Sequence, residues 1–337
     1  MFGGKLIVGK TKTLHKMEQE KTSMAAAFRL TQSLTESLNG FKPRTLLHLR
    51  IHKDPTFQLK CLKISGRELT DLPPELFELR HLEYLVLSPE RESGLNFRLL
   101  KVPKNIGEMR QLRILCLDTN ELKKLPQEIG NLRNLERLAL SNNLLTTLPS
   151  SFSDLQKLKH LHLANNYLKV IPACVYSMLN LEFLDASDNK IFEISEDISA
   201  LVGLETFLLL YNLLETVPES ITKCLNLRSL WLGNNRLKYL PSNFGDLTKL
   251  DWEFHSNSAN IDGNPSLQRP PVEVCRQGPD MIRDYFKRNE TPCSEQDEDS
   301  MEEIDPVVTG TSAMSSSQNF GSDWREVPPL EIDSPRK

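Results

Sequence analysis

Residues 135–145 read LERLALSNNLL, residues 158–168 read LKHLHLANNYL, and residues 227–237 read LRSLWLGNNRL. All three follow L-x-x-L-x-L-x-x-N-x-L, and their first leucines are separated by multiples of 23 residues. Extending that phase in both directions, units open at Leu112, Leu135, Leu158, Leu181, Leu204 and Leu227, and the next step lands on Leu250. Two earlier units open at Leu59 and Leu82, and the second is 30 residues long, with a seven-residue insertion around Pro89–Asn96. Of 57 leucines in the chain of 337 residues, 47 lie between Leu59 and Leu250, so the repeat and the leucine excess are one feature. A fixed period of this length marks a stacked architecture. L-x-L alternation sends two side chains to one face of a short strand. One 23-residue unit cannot enclose that face, whereas stacked neighbours bury it in a continuous core beside a parallel sheet.

The other fixed positions have structural roles. Asn120, Asn143, Asn166, Asn189, Asn212 and Asn235 occupy the ninth position, where the chain leaves the strand. Their amides can bond backbone groups there and in the next coil, forming a ladder. A proline follows the fourteenth position in most units (Pro73, Pro103, Pro126, Pro149, Pro172, Pro218, Pro241) and suits a loop. I/F-x-x-L then follows, as in Ile129/Leu132 and Phe152/Leu155, and reads as a short helical turn on the opposite side. Arg67 and Phe97 replace the asparagine, and Ser195 replaces one proline, so local irregularity is expected at those points.

These units resemble the leucine-rich repeat family in its short intracellular class. The closing stretch NIDGNPSLQRPPVEVCRQGPDMIRDYF (260–286) is similar to the closing segment of Scribble-type and Ras-pathway scaffolds. The resemblance implies an α/β leucine-rich repeat solenoid with a curved parallel sheet on the concave face. Loops and short helical turns would form the convex face. It also implies a non-catalytic adaptor or regulatory scaffold in signalling, with a protein partner such as a small GTPase or a phosphatase. No cofactor is implied.

The organisation expected is fourfold. Residues 1–58 form a basic N-terminal helix and capping strand, and 59–264 hold eight units plus a degenerate ninth. Residues 265–290 form a C-terminal cap, and 291–337 an acidic disordered tail. Within the first part, residues 13–39 read as an amphipathic helix with Leu14, Met17, Met24, Phe28 and Leu34 on one side, and LLHLRI (46–51) as an edge strand. Met281–Lys287 reads as a terminal helix packing Ile282, Tyr285 and Phe286. Residues 1–58 carry ten Lys/Arg against four Asp/Glu, and residues 291–337 carry three against eleven. The net charge of the chain is -4, which leaves the middle nearly neutral and unlike a nucleic-acid binder. The basic helix also suits a membrane-surface tether, the alternative to a simple cap. No apolar run of membrane-spanning length and no secretory leader are read in the sequence. Six scattered cysteines without C-x-x-C suit a reducing compartment, so a cytoplasmic monomer is expected.

Two motifs invite chemistry. Gly4–Thr11 (GKLIVGKT) fits the phosphate-binding pattern G-x-x-x-x-G-K-T, but only three residues precede it and no βαβ unit follows. A P-loop enzyme is therefore the least favoured class. His160 and His162 stand on one face with Asp185 on the next strand, a possible metal set. It lacks a well-spaced further ligand, since Asp188 is only a weak fourth, so no metal is assigned. Positions three, five, seven and eight of each unit should project from the concave sheet. Early units place Lys63, Tyr84, Val86, Ile114 and Cys116 there. The partner-binding residues expected are Arg137, His160, His162, Phe183, Asp185, Leu208, Tyr211, Trp231 and Trp252. The aromatics of the late units are apolar surface beyond what the core requires, the usual mark of a partner site.

Overall fold

The computed structural model describes residues 50–70, 72–89, 97–251 and 261–290. Nine strands form one sheet in chain order: β1 (His52–Lys53), β2 (Lys60–Lys63), β3 (Tyr84–Val86), β4 (Ile114–Cys116), β5 (Arg137–Ala139), β6 (His160–His162), β7 (Phe183–Asp185), β8 (Thr206–Leu208) and β9 (Ser229–Trp231). From β2 onward all pairs are parallel and in register, unit upon unit. The middle residue of each strand from β2 (Leu62, Leu85, Leu115, Leu138, Leu161, Leu184, Phe207, Leu230) points into the core and is buried. The leucines that open and close each unit join it there. The apolar anchors of the opposite side, such as Ile129, Phe152, Ile198 and Phe244, also join it. The result is an α/β leucine-rich repeat solenoid.

The asparagine ladder forms, but it reaches back to the preceding unit and not forward to the next coil. The Asn166 side-chain nitrogen reaches the carbonyls of Leu163 and Leu140 at 3.0 Å and of Ala164 at 3.2 Å, and its oxygen accepts the Leu145 N–H at 3.0 Å. Each ladder asparagine thus ties its own turn to the preceding unit. Asn264 continues the ladder beyond the sixth asparagine, accepting from the Leu237 N–H at 3.1 Å and donating to Leu232 and Ile261. It stands 29 residues after Asn235, so the phase that locates the other asparagines misses it.

Prolines begin 3-10 turns of five residues, as at Pro126, where φ and ψ are -73° and 149°. Ser195 takes nearly the same conformation, -65° and 149°, so the irregularity expected there does not occur. Its hydroxyl accepts the Asp197 N–H, and the Tyr176 hydroxyl satisfies the Ser195 N–H that a proline would lack. At Arg67 the irregularity is present, as a helical turn over Arg67–Thr70.

The ends differ from expectation in register. β1 lies at His52–Lys53, after the stretch 46–51, and pairs antiparallel with β2. The connecting turn is held by Asp54, whose carboxylate accepts the N–H groups of Thr56 and Phe57, with Gln58 at φ 56°. Residues 46–49, the 13–39 helix, the Gly4–Thr11 motif, most of the insertion and the acidic tail lie outside the described residues. So does Trp252, and no strand is assigned to the described part of the ninth unit. The terminal helix spans Pro279–Glu290 and buries Ile282 and Phe286, with Tyr285 packed beside them.

Candidate functional site

The concave face is built from two rows of side chains, set by the strand register. The third-position row runs Cys61, Tyr84, Ile114, Arg137, His160, Phe183, Thr206, Ser229. The fifth-position row runs Lys63, Val86, Cys116, Ala139, His162, Asp185, Leu208, Trp231. The two rows are not uniformly open. Tyr84, Val86, Ile114 and Cys116, expected to project as accessible surface, are buried. Phe57, from the turn ahead of β2, sets its ring edge-on to Tyr84 at 6.1 Å, and the Arg137 guanidinium lies 5.3 Å from the same ring.

The middle of the face is an aromatic and ionisable cluster. The Phe183 ring stacks on His160 at 5.8 Å and tilts against His162 at 4.7 Å. His162 and Asp185 are only 5% and 8% exposed, which corrects the expectation that both present a contact surface. Burial, helped by the Arg137 and Lys159 charges, lowers His160 to about 4. Burial, with His160 and Arg137, lowers His162 to about 3. Both imidazoles are therefore neutral near pH 7. Burial raises the Asp185 carboxyl, against the hydrogen bond it accepts from the Ser187 N–H at 3.0 Å. Among the described residues no group of three or more His, Cys, Asp or Glu is placed to hold a metal ion. Burial also raises Cys61, Cys174 and Cys224 to about 11 and Cys275 to about 12, the opposite of what an attacking thiolate requires.

The late part is open. Thr206, Leu208, Ser229 and Trp231 are half-exposed, with Leu208 directly beside Trp231 across the strand pair. Leu210 is half-exposed and Tyr211 is 57% exposed. Tyr211 also has an unusual backbone. The eighth position of every unit in the 23-residue phase is left-handed: Thr119, Asn142, Asn165, Asp188, Tyr211 and Asn234 have φ between 52° and 60°. That twist directs each N–H to a carbonyl in the following unit, as Asn165 to Ser187 at 2.9 Å and Tyr211 to Gly233 at 3.2 Å. Asparagine and aspartate tolerate this region and a bulky aromatic does not. In the sequence this appears as N-N, T-N and D-N pairs, with the left-handed residue directly ahead of the ladder asparagine.

The geometry defines a stacked-repeat protein with one extended sheet face. The repeats are leucine-rich repeats: the family described as "Leucine-rich repeat region" matches residues 100–187, and "Leucine Rich Repeat" matches 226–247. Among solved structures it is similar to a leucine-rich repeat protein of Leptospira interrogans, at 34% identity and a TM-score of 0.57, over 65% of this chain and 52% of that one. It is also similar to the plant peptide hormone receptor RGFR1 in complex with RGF2, at 26% identity and a TM-score of 0.50, over 62% of this chain and 33% of that one. The chain thus spans about half the length of the first and a third of the second. No curated protein sequence matches it. Among the described residues no helix is long and apolar enough to cross a membrane.

Proposed function

We propose that this chain is a non-catalytic protein–protein interaction module, an adaptor or regulatory scaffold, which takes its partner on the open late part of the concave face. One observation carries the reading: Leu208 and Trp231 stand side by side across β8 and β9, and Leu210 and Tyr211 follow β8 directly, all of them exposed at least in part beside a core that is complete without them. Tyr211 strengthens it, because a bulky residue kept in a strained conformation points to a requirement other than stability. Trp and Tyr are favoured anchors in protein interfaces. The similar plant receptor is described with a bound partner, RGF2, which supports the same use of the fold here. The resemblance to intracellular scaffolds favours a cytoplasmic setting and a small GTPase or phosphatase as partner. The raised Cys61 thiol and the neutral histidines, of which His162 is buried, argue against catalysis on this face.

The test is affinity capture with the intact chain and a Leu208→Ala/Tyr211→Ala/Trp231→Ala variant, with circular dichroism confirming that both are folded. Phe183 is left in place because it packs on His162. Proteins recovered by the intact chain and lost from the folded variant support the reading. Identical recovery by both chains overturns the late-face assignment.

A further inference from the structure

The late part of the concave face carries charge of one sign. Positions three, five, seven and eight of the units that open at Leu158, Leu181, Leu204 and Leu227 hold no Lys or Arg, and their acidic residues are Asp185 and Asp188. Four cations border these rows, at positions two and ten. Lys159 pairs with Glu182 at 2.7 Å, Arg228 lies 3.9 Å from Glu205, Lys190 stands 4.9 Å from the centre of the Tyr167 ring, and Arg236 is exposed. Asp188 is exposed, and burial alone raises its carboxyl, so no cation of the described residues offsets that shift. Asp185 is raised by burial first and by the Asp188 charge in smaller measure, against its bond from Ser187, so the two carboxylates share one field.

We propose that this face takes a basic segment of its protein partner, with an arginine or lysine set against Asp188 and Tyr211 and a large apolar side chain on Leu208 and Trp231. The proposal rests on the late-face reading above and adds the chemistry of what binds there. Asp188 and Tyr211 hold the eighth position of successive units, so one strand spacing of about 4.8 Å separates them across the sheet. A guanidinium placed there pairs with the carboxylate while its face meets the phenol ring, which suits arginine better than lysine. Leu208, in the unit of Tyr211, and Trp231, in the next, are partners across β8 and β9 and supply the apolar seat. The units of Asp188 and Trp231 are two spacings apart, about 10 Å, which an extended segment covers in about three residues. Cation and anchor are thus set about three residues apart in a partner that crosses the strands. The half-exposed hydroxyls of Thr206 and Ser229 stand at position three of the same units and can bond that segment's backbone. An acidic segment meets the opposite case, since its carboxylates would face Asp188 with no cation in these rows to answer them.

Selection of a phage-displayed library of random linear peptides on the full chain tests it. The recovered peptides should carry Arg or Lys far more often than Asp or Glu, at about three residues from a Trp, Phe, Leu or Ile. Made synthetically, they should bind an Asp188→Asn variant about tenfold more weakly than the unaltered chain. That variant keeps its fold, because asparagine holds the same left-handed position in three other units. The peptides should also weaken on a Leu208→Ala/Trp231→Ala variant, whose two sites are half-exposed, so that truncation leaves the core intact. Peptides that need Leu208 and Trp231 but show no excess of Arg or Lys, or that bind Asp188→Asn as well as the unaltered chain, overturn the basic segment and leave the late-face reading standing. Peptides that need Asp188 but neither apolar residue overturn the two-part seat. Peptides indifferent to both variants, or a selection that recovers none, overturn the proposal and the late-face reading together.

Discussion

At the scale of single residues, Asn166 and Tyr211 stand for opposite uses of a repeat position. Asn166 satisfies a buried N–H of the preceding unit and carbonyls of that unit and its own with one side chain. Asn166→Ala strands those groups without water, and each unsatisfied buried polar group costs about 1–3 kcal/mol. The expected loss is about 3 kcal/mol in urea unfolding, with Asn143→Ala and Asn189→Ala similar because their bonding is the same. Tyr211 should respond in the other direction. Its left-handed backbone suits asparagine, the residue found at that position in three other units. Tyr211→Asn should raise stability by about 0.5–1 kcal/mol while weakening partner capture. A variant that loses stability would show that the ring packs better than its exposure suggests. Ser195→Pro is expected to be near neutral, within about 1 kcal/mol, since the backbone is already at proline angles but the Tyr176 hydroxyl loses its donor.

At the scale of elements, the β6–β7 pair carries a pH dependence. An unfolded histidine titrates near pH 6.5, whereas folded His160 and His162 are held down to about 4 and about 3. As pH falls below 6.5 the unfolded chain takes up protons that the folded chain refuses. Stability therefore drops with acid, by at most about 1.4 kcal/mol per pH unit for each histidine. Asp185 works against this, because its raised pKa makes the folded chain take up a proton before the unfolded one does. Urea midpoints should therefore fall from pH 7 to pH 5, and His162→Gln, which stays neutral, should flatten that fall. An unchanged slope in His162→Gln would mean that the imidazole is not kept neutral by the fold. The terminal helix depends on a different element contact. A Cβ on Gly245 would stand 2.8 Å from the Pro279 carbonyl oxygen and 2.5 Å from Arg283 Cβ, so the helix must move for any larger residue. Arg283 also donates to the Gly245 carbonyl. Gly245→Val should cost about 1–3 kcal/mol by this overpacking and should admit proteolysis between Gln277 and Glu290.

At the scale of the whole molecule, the repeat was legible because it depends only on spacing: leucines at fixed offsets fix the strand, the core row and the stacking direction. The asparagines and prolines were legible for the same reason. What sits over the sheet was not, because the same Tyr84, Ile114 and Cys116 read alike whether their open side meets water or another segment. Asn264 escaped because a longer unit broke the phase, and β1 escaped because a two-residue antiparallel pair has almost no pattern. A stacked array has a further property that its spacing already contains. Each unit touches only its neighbours, so damage should spread by one interface at a time. Phe286 and Ile282 close the last core layer against the turn at Ser242–Asp246. Phe286→Ala should open that layer and leave the distant ones intact. Native-state hydrogen exchange should therefore quicken at the amides of Ser242–Asp246 and of the terminal helix. The amides of β5 and β6, such as Leu138 and Leu161, should keep the protection of the unaltered chain. Equal acceleration at both places would mean that the array unfolds as one cooperative body, in which case the cap sets the stability of every unit rather than only its own neighbour.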